Sequence, residues 1–336
     1  MDILFADWLG KPLWMWSGFL AIVFALLAFD LGLLNRGDRE IGIARSLRLS
    51  AFYIGFACLY GAVVWWAFET GNLTTTDGTH AGVTYFTGFF IEKALSIDNV
   101  FVISLIFTFF AIPRRYQYRA LVWGIIAVII LRGLMIGIGA ALVQEYDWIL
   151  FIFGAFLIAT GIKMLVVPEA EPDMSKNKLI VFFKKRMRVT DTLHGERFFV
   201  RQPDAVTGRT LIYATPLFLA LVVINLADII FAVDSVPAIF AITTDPFIVF
   251  TANIMAILGL RALYFALAAM VHRFEHLKTA LALVLVFIGG KIFWNQIFGK
   301  VDPAISLGVT LALILGGIVF SLWKTRGQAA AAPHAD

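Results

Sequence analysis

Nine apolar runs, each long enough to cross a bilayer as a helix, constrain this chain more than any other feature. They cover roughly residues 13–34, 49–68, 83–112, 121–143, 148–167, 211–242, 247–271, 279–297 and 304–323. A helix needs about 20 apolar residues to cross about 30 Å of hydrocarbon. The runs are continuous rather than alternating, so they predict helices and not the strands of a barrel. Composition agrees: 60% of the 336 residues are hydrophobic and 15% charged, against about half and a quarter in a soluble domain. Disordered chains, fibrous repeats and most soluble enzymes are excluded. The single cysteine, Cys58, provides neither a disulfide framework nor a thiolate metal site. The first run lacks a basic segment ahead of it and is too long for the core of a cleavable signal, so it is expected to remain as a span.

The loops set the orientation. Arg36, Arg39, Arg45 and Arg48 follow the first run, and Arg114, Arg115 and Arg119 the third. Lys176, Lys178, Lys184, Lys185, Arg186 and Arg188 follow the fifth, Arg273 and Lys278 the seventh, and Lys324 and Arg326 the ninth. The connections after the second, fourth and sixth runs hold no Lys or Arg, and that after the eighth holds only Lys300. Basic loops stay in the cytoplasm, which predicts N-terminus out and C-terminus in. Cations gathered in loops also argue against a nucleic-acid face. Segment 168–210 reads as a cytoplasmic linker lying on anionic lipid, and 328–336 as a low-complexity, disordered tail.

An internal repeat runs through the middle of the chain. Glu92 and Asp98, followed by Asn99, are answered by Asp228 and Asp234, followed by Ser235. Leu131-Arg132-Gly133-Leu134 is answered by Leu260-Arg261-Ala262-Leu263, and Gly161-Ile162-Lys163 by Gly289-Gly290-Lys291. Acid, acid, arginine and lysine thus recur with steps of 6, 34 and 31 residues and then 6, 27 and 30. Each unit holds three runs, so the two must be oppositely oriented. The expected architecture is an all-α polytopic membrane protein of about nine transmembrane helices. Repeat A lies at about 83–167 and repeat B at about 211–297 (helices three to five and six to eight). Inverted repeats of this kind mark transporters whose site lies near the midplane.

The intramembrane charges point to that site. Each costs about 2.5–3.5 kcal/mol at a helix centre, so Glu92, Asp98, Asp228, Asp234, Arg132 and Arg261 unpaired would cost roughly 15–20 kcal/mol. They must face one another, an ion or water. Glu92 and Asn99 share a helix face, as do Asp228 and Ser235, whereas Asp98 and Asp234 lie about 120° away from the preceding acids on a straight helix. A local break near Ser96 or Pro237 would bring both acids of a helix to one site. Four carboxylates against two arginines leave −2, the charge that a divalent cation neutralises. Oxygen donors Glu92, Asp98, Asn99, Asn225, Asp228, Asp234 and Ser235 form the candidate metal set and suit a hard ion such as Mn²⁺, Mg²⁺ or Ca²⁺. Arg132 and Arg261 are the expected counter-charges, and purely structural salt bridges are the competing reading. Asp30 either lines an exit path or caps its helix, and Lys163 and Lys291 either snorkel or line the pathway.

His272-Arg273-Phe274-Glu275-His276 fits the H-x-x-E-H pattern of inverted zinc proteases, but no third ligand or substrate domain accompanies it. No P-loop, nucleophile elbow or dinucleotide fingerprint is present, so neither an enzyme nor an ATP-driven pump is expected, and no cofactor.

At these motifs the sequence resembles the TerC family of integral membrane proteins, named for an association with tellurite resistance, and within it a pH-responsive branch. The likeness lies in the segment from Glu92 to Val100, in Ala214-Thr215-Pro216-Leu217, and in the stretch from Phe231 through Asp234-Ser235-Val236-Pro237 to Phe247. It continues in Leu258 to Phe265 and in His194-Gly195-Glu196-Arg197-Phe198-Phe199. The resemblance implies manganese homeostasis with Glu92, Asp98, Asp228 and Asp234 as the intramembrane acids. Relatives often carry Glu where this chain has Asn225, which puts affinity or proton coupling in question. The resulting expectation is a bacterial inner-membrane Mn²⁺ exporter, with membrane lipid and the divalent ion as partners. A non-transporting scaffold that assists metal loading or insertion of envelope proteins, and resistance to a tellurium oxyanion, are the alternatives.

Overall fold

Every apolar run forms a helix, or in one case a pair of helices. α1 (Leu13–Leu34), α2 (Ile43–Thr70), α3 (Gly78–Phe109), α4 (Arg114–Glu145) and α5 (Ile149–Val166) precede α6 (Pro216–Phe240), α7 (Pro246–Leu258), α8 (Leu260–Leu267), α9 (Leu277–Ile297) and α10 (Pro303–Ala331). The computed structural model describes residues 6–34, 43–70, 77–146, 148–167, 182, 186–190, 192–203, 209–267, 277–299 and 301–331, apart from the side chains of 31–34, 98, 234, 277, 296, 322 and 325–331. Among these residues, eight helical stretches are long and apolar enough to cross a membrane, α7 and α8 together making one. α3 has the length as well, 32 residues or about 48 Å at 1.5 Å each, but carries Glu92, Lys93 and Asp98 in its middle. The fold is all-α and polytopic, with two small antiparallel hairpins: β1 (Asp7–Trp8) with β2 (Lys11–Pro12), and β3 (Phe199–Pro203) with β4 (Thr210–Ala214).

Three boundaries differ from the sequence expectation, each for a local reason. The start of the run at 211–242 is strand β4, paired from Phe199↔Ala214 to Pro203↔Thr210. The helix begins only at Pro216, where Thr215 accepts a hydrogen bond from the Phe218 N–H as N-cap, a proline-after-cap start that the Thr-Pro pair encodes. The breaks that the sequence leaves open in the third and sixth runs do not occur: α3 is continuous, and Pro237 is accommodated inside α6 near its end. The break falls instead in the seventh run, at Gly259, between α7 and α8. A Cβ on Gly259 would lie 3.0 Å from both Lys93 Nζ and Tyr53 Cβ, so glycine lets the chain turn between two packed side chains. At the C-terminus, α10 runs to Ala331, into the expected tail, because an alanine run is the best helix former. Residues 332–336 and the His272–His276 motif lie outside the described residues.

α7 forms the centre of the bundle. Every one of its residues except Phe250 is buried, as a helix apolar on all sides requires. It packs against α1, α2, α3 and α4. Trp16, Phe19, Tyr60, Tyr85, Phe89 and Phe247 form the aromatic core on its α1–α2 side. α3 packs on α7 and α4 packs on α6, while α5 and α9 form an intimate pair. That pair is antiparallel and reciprocal: a Cβ on Gly161 would lie 2.7 Å from the Ala282 carbonyl, and one on Gly289 would lie 2.7 Å from the Gly154 carbonyl. Residues 154 and 282 stand 128 apart, as do 161 and 289. Small residues bring the two backbones together where lipid provides no hydrophobic drive between helices.

Candidate functional site

Arg132 on α4 joins α3 to α6. Its Nη1 donates to Glu92 Oε1 at 2.9 Å and to Ser235 Oγ at 2.6 Å. Its Nε and Nη2 reach Asp228 Oδ2 and Oδ1 at 3.2 and 3.3 Å, the fork-on-fork geometry that arginine forms with a carboxylate. Glu92 comes from α3, Asp228 and Ser235 from α6. Asp228 and Ser235 therefore meet one guanidinium from positions two turns apart on α6, as their seven-residue spacing predicts. The other Glu92 oxygen, Oε2, accepts from Asn253 Nδ2 of α7 at 3.0 Å. Arg132 and Glu92 are 1% exposed at the side chain and Asp228 9%, so this is a buried network whose members must satisfy one another.

A cavity of about 270 Å³ opens beside it. Glu92, Arg132, Asn99 and Ser235 line its deep part, and Thr160, Lys163 and Lys278 extend it to the C-terminal end of α5 and the N-terminal end of α9. Asn99 also borders a void of about 20 Å³ with Gly124 and Asp228. Asn225, one turn before Asp228, donates its amide to the Leu221 carbonyl at 2.8 Å and leaves its side-chain oxygen buried without a partner. Lys163 is exposed at the cavity mouth, whereas Lys291 is buried. Asp98 and Asp234 sit on α3 and α6 immediately before Asn99 and Ser235, and their side chains lie outside what is described. Among the described residues no three His, Cys, Asp or Glu side chains are grouped to hold a metal.

The second arginine of the repeat behaves differently. Among the described residues Arg261 pairs elsewhere than with Glu92 and Asp228: its Nη2 pairs with the Asp30 carboxylate and donates to the Asp30 carbonyl at 3.3 Å. Its guanidinium lies over the Tyr118 ring, 4.5 Å from the centroid. Asp30 thus pairs with Arg261 across α1 and α8, neither capping nor free. Two further residues escaped the sequence reading. Lys93 Nζ donates to the Ala256 carbonyl at 3.0 Å, placing a cation on the C-terminal end of α7 where the helix dipole is negative. Asn253 fixes Glu92. The signal for both was polarity within an apolar run, but neither is echoed in the other repeat. By the 129-residue offset of the two arginines, Asn253 corresponds to Gly124, and by the 136-residue offset of Glu92 and Asp228, Lys93 corresponds to Ile229.

The bundle and its interior charges define a multi-pass integral membrane protein. The chain matches the integral membrane protein TerC family over residues 77–329, and it belongs to that family. A relative in Escherichia coli (strain K12), named "Putative membrane-bound redox modulator Alx", is 42% identical over 319 residues, 94% of this chain and 95% of the relative. An uncharacterized membrane protein of Rickettsia bellii is 44% identical over 91% of this chain and 96% of its own. Uncharacterized membrane protein STKORF319 of Myxococcus xanthus is 42% identical over 94% of both. No solved structure gives a significant match.

Proposed function

We propose that this protein exports a divalent cation across the bacterial inner membrane, Mn²⁺ by preference, by alternating access between the two repeats. The observation that carries the reading is the cavity of about 270 Å³ within the bundle, which Glu92, Asn99 and Ser235 line together with Arg132, Lys163 and Lys278. Its mouth lies at the ends of α5 and α9 that the basic loops assign to the cytoplasm. An ion entering there meets hard oxygen donors, and the open Asn225 oxygen lies one turn from Asp228. Arg132 holds the place of the cation while the site is empty. Arrival of the ion loosens the arginine from one carboxylate, and Asp98 and Asp234 contribute the remaining charge.

The redox role in the relatives' name fits this reading through chemistry, since an exporter of a redox-active metal changes the redox balance of its cell. Direct thiol chemistry within this chain would need a partner for Cys58, its single cysteine. The scaffold alternative expects the acids to be dispensable for ion movement. Elemental analysis of manganese-loaded cells tests the proposal with wild type, Asp98→Asn and Asp234→Asn at matched membrane levels. Lowered cell manganese with wild type alone is the expected result. Variants as active as wild type would remove these acids from the pathway, and an inactive wild type would favour another ion or the scaffold.

A further inference from the structure

The polar network at Arg132 meets a cavity on one side and a dry layer on the other. Glu92, Arg132, Ser235 and Asn253 come from α3, α4, α6 and α7, and residues four apart on a helix lie on one face, one above the other. Four residues along each helix, away from the basic loops, those faces carry Gly88, Ile136, Ile239 and Val249, about 6 Å beyond the site at 1.5 Å per residue. All four are buried. They form one layer: Ile136, Ile239 and Val249 share an apolar cluster with Val236 and Phe240. A Cβ on Gly88 would lie 3.6 Å from the Ile239 side chain and 3.4 Å from that of Ala252. Toward the basic loops, by contrast, Asn99, Thr160 and Lys163 line the cavity that reaches Glu92 and Arg132.

Phe240 closes this layer. Its side chain is 2% exposed and sits on α4 at Gly139, where a Cβ would lie 2.8 Å from its Cε2 and 3.4 Å from its Cζ. Gly139 is seven residues beyond Arg132, on the same face of α4, so the ring covers the face that carries the guanidinium. Phe153 of α5 stands beside it, with ring centroids 6.5 Å apart. Pro237 supplies a point of bending just before the ring. It has no N–H, so the Val233 carbonyl lacks its helical partner, and helices kink at such points. Asp228 and Ser235 precede Pro237 on α6, whereas Ile239 and Phe240 follow it in the last turn.

We propose that Phe240 is the outer gate of the pathway: seated on Gly139 it shuts the site at Arg132 from the outside, and bending of α6 at Pro237 lifts it. The release of an ion through that gate rests on the exporter reading, whereas the closed outer layer stands without it. The structure is then the state that loads from the cytoplasm. A bend at Pro237 moves Ile239 and Phe240 while Asp228 and Ser235 stay on the straight part of α6, so the gate opens without dismantling the Arg132 network. Glycine at 139 is what gives the ring its seat, because any larger residue would occupy the place of its edge.

Two readouts test this on the full-length protein. The first is access from outside, in sealed right-side-out vesicles, with Ile136→Cys as reporter on a Cys58→Ser background and a membrane-impermeant cationic methanethiosulfonate as probe. Phe240→Ala should raise the labelling rate at least tenfold, and Phe240→Leu, which keeps the space largely filled, far less. Gly139→Ala pushes the ring off its seat without emptying the space, should raise the rate as well, and serves where Phe240→Ala does not fold. A rate that the folded Phe240→Ala or Gly139→Ala variant leaves unchanged, whether fast or slow, overturns the gate. The second is Mn²⁺ movement in proteoliposomes. Pro237→Ala restores the missing helical bond and should slow movement several-fold, while equilibrium Mn²⁺ binding in nanodiscs stays within twofold of wild type. Movement at the wild-type rate, or a fall matched by lost binding, overturns the hinge. Failure of wild type to move Mn²⁺ overturns the exporter reading, and labelling then decides by itself whether Phe240 closes the outer side.

Discussion

Replacing Arg132 with methionine is the most informative single change in this molecule. Its guanidinium donates four hydrogen bonds, three of them to carboxylates on two different helices. In Arg132→Met, Asp228 loses the described partner of each oxygen, and Glu92 keeps only Asn253 among the described residues. Breaking one buried pair by removing a partner costs about 3–5 kcal/mol, and here two carboxylates depend on one arginine, so the upper end, about 5 kcal/mol, is expected. That is a factor of a few thousand in the folded-to-unfolded ratio. Arg132→Lys keeps the charge but loses the fork on Asp228, and should cost about 1–2 kcal/mol. Reversible unfolding of the protein in bilayer nanodiscs measures both. A cycle with Glu92→Gln isolates the pair: that change should be costly while Arg132 is present and nearly harmless in the Arg132→Met background, with a coupling of at least about 1 kcal/mol. A loss below about 1 kcal/mol in Arg132→Met, the scale of a solvated surface pair, would refute a buried hub.

Other changes follow from the same geometry. Lys11 is buried, 2.8 Å from Asp245 and over the Phe68 ring. Lys11→Met should cost about 2–3 kcal/mol, because Asp245 still caps the Phe247 and Ile248 N–H groups; Asp245→Ala should cost more, as the cap is lost too, by the same unfolding assay. Gly161→Ala would press a methyl 2.7 Å from the Ala282 carbonyl, forcing α5 off α9 at about 1–3 kcal/mol. Gly137, with open space around it, is the matched control and should gain slightly from alanine. Thr215→Ala should lose about 1 kcal/mol at the start of α6, visible as faster amide exchange over the first turn.

The apolar runs were legible because a bilayer leaves helices few alternatives, so span number and composition followed from length and hydropathy. Pairing among the charges was less legible. That Glu92, Asp228, Ser235 and Arg132 share one place could be argued from seven-residue spacing and from the cost of burying each alone. Which acid takes which arginine could not, because that depends on how helices lie side by side. The recurring Leu-Arg motif suggests that Arg132 and Arg261 act alike, yet α1 brings Asp30 to only one of them. The sequence leaves a break open near Ser96 and at Pro237, but α3 is continuous and a proline near the end of α6 loses little. Gly259 breaks the chain because Tyr53 and Lys93 crowd it from two other helices. Strand β4 was hidden inside an apolar run because Leu211, Ile212 and Tyr213 suit a strand as well as a span.

The most direct test of the account is Mn²⁺ movement into proteoliposomes holding the purified protein, followed with a manganese-quenched dye, for wild type, Glu92→Gln and Asp228→Asn. The account predicts saturable entry with wild type and at least a tenfold loss in both variants, each first shown to be folded by its unfolding curve. Entry at the wild-type rate in both folded variants would contradict it, leaving the Glu92–Arg132–Asp228 network as structural pairing alone.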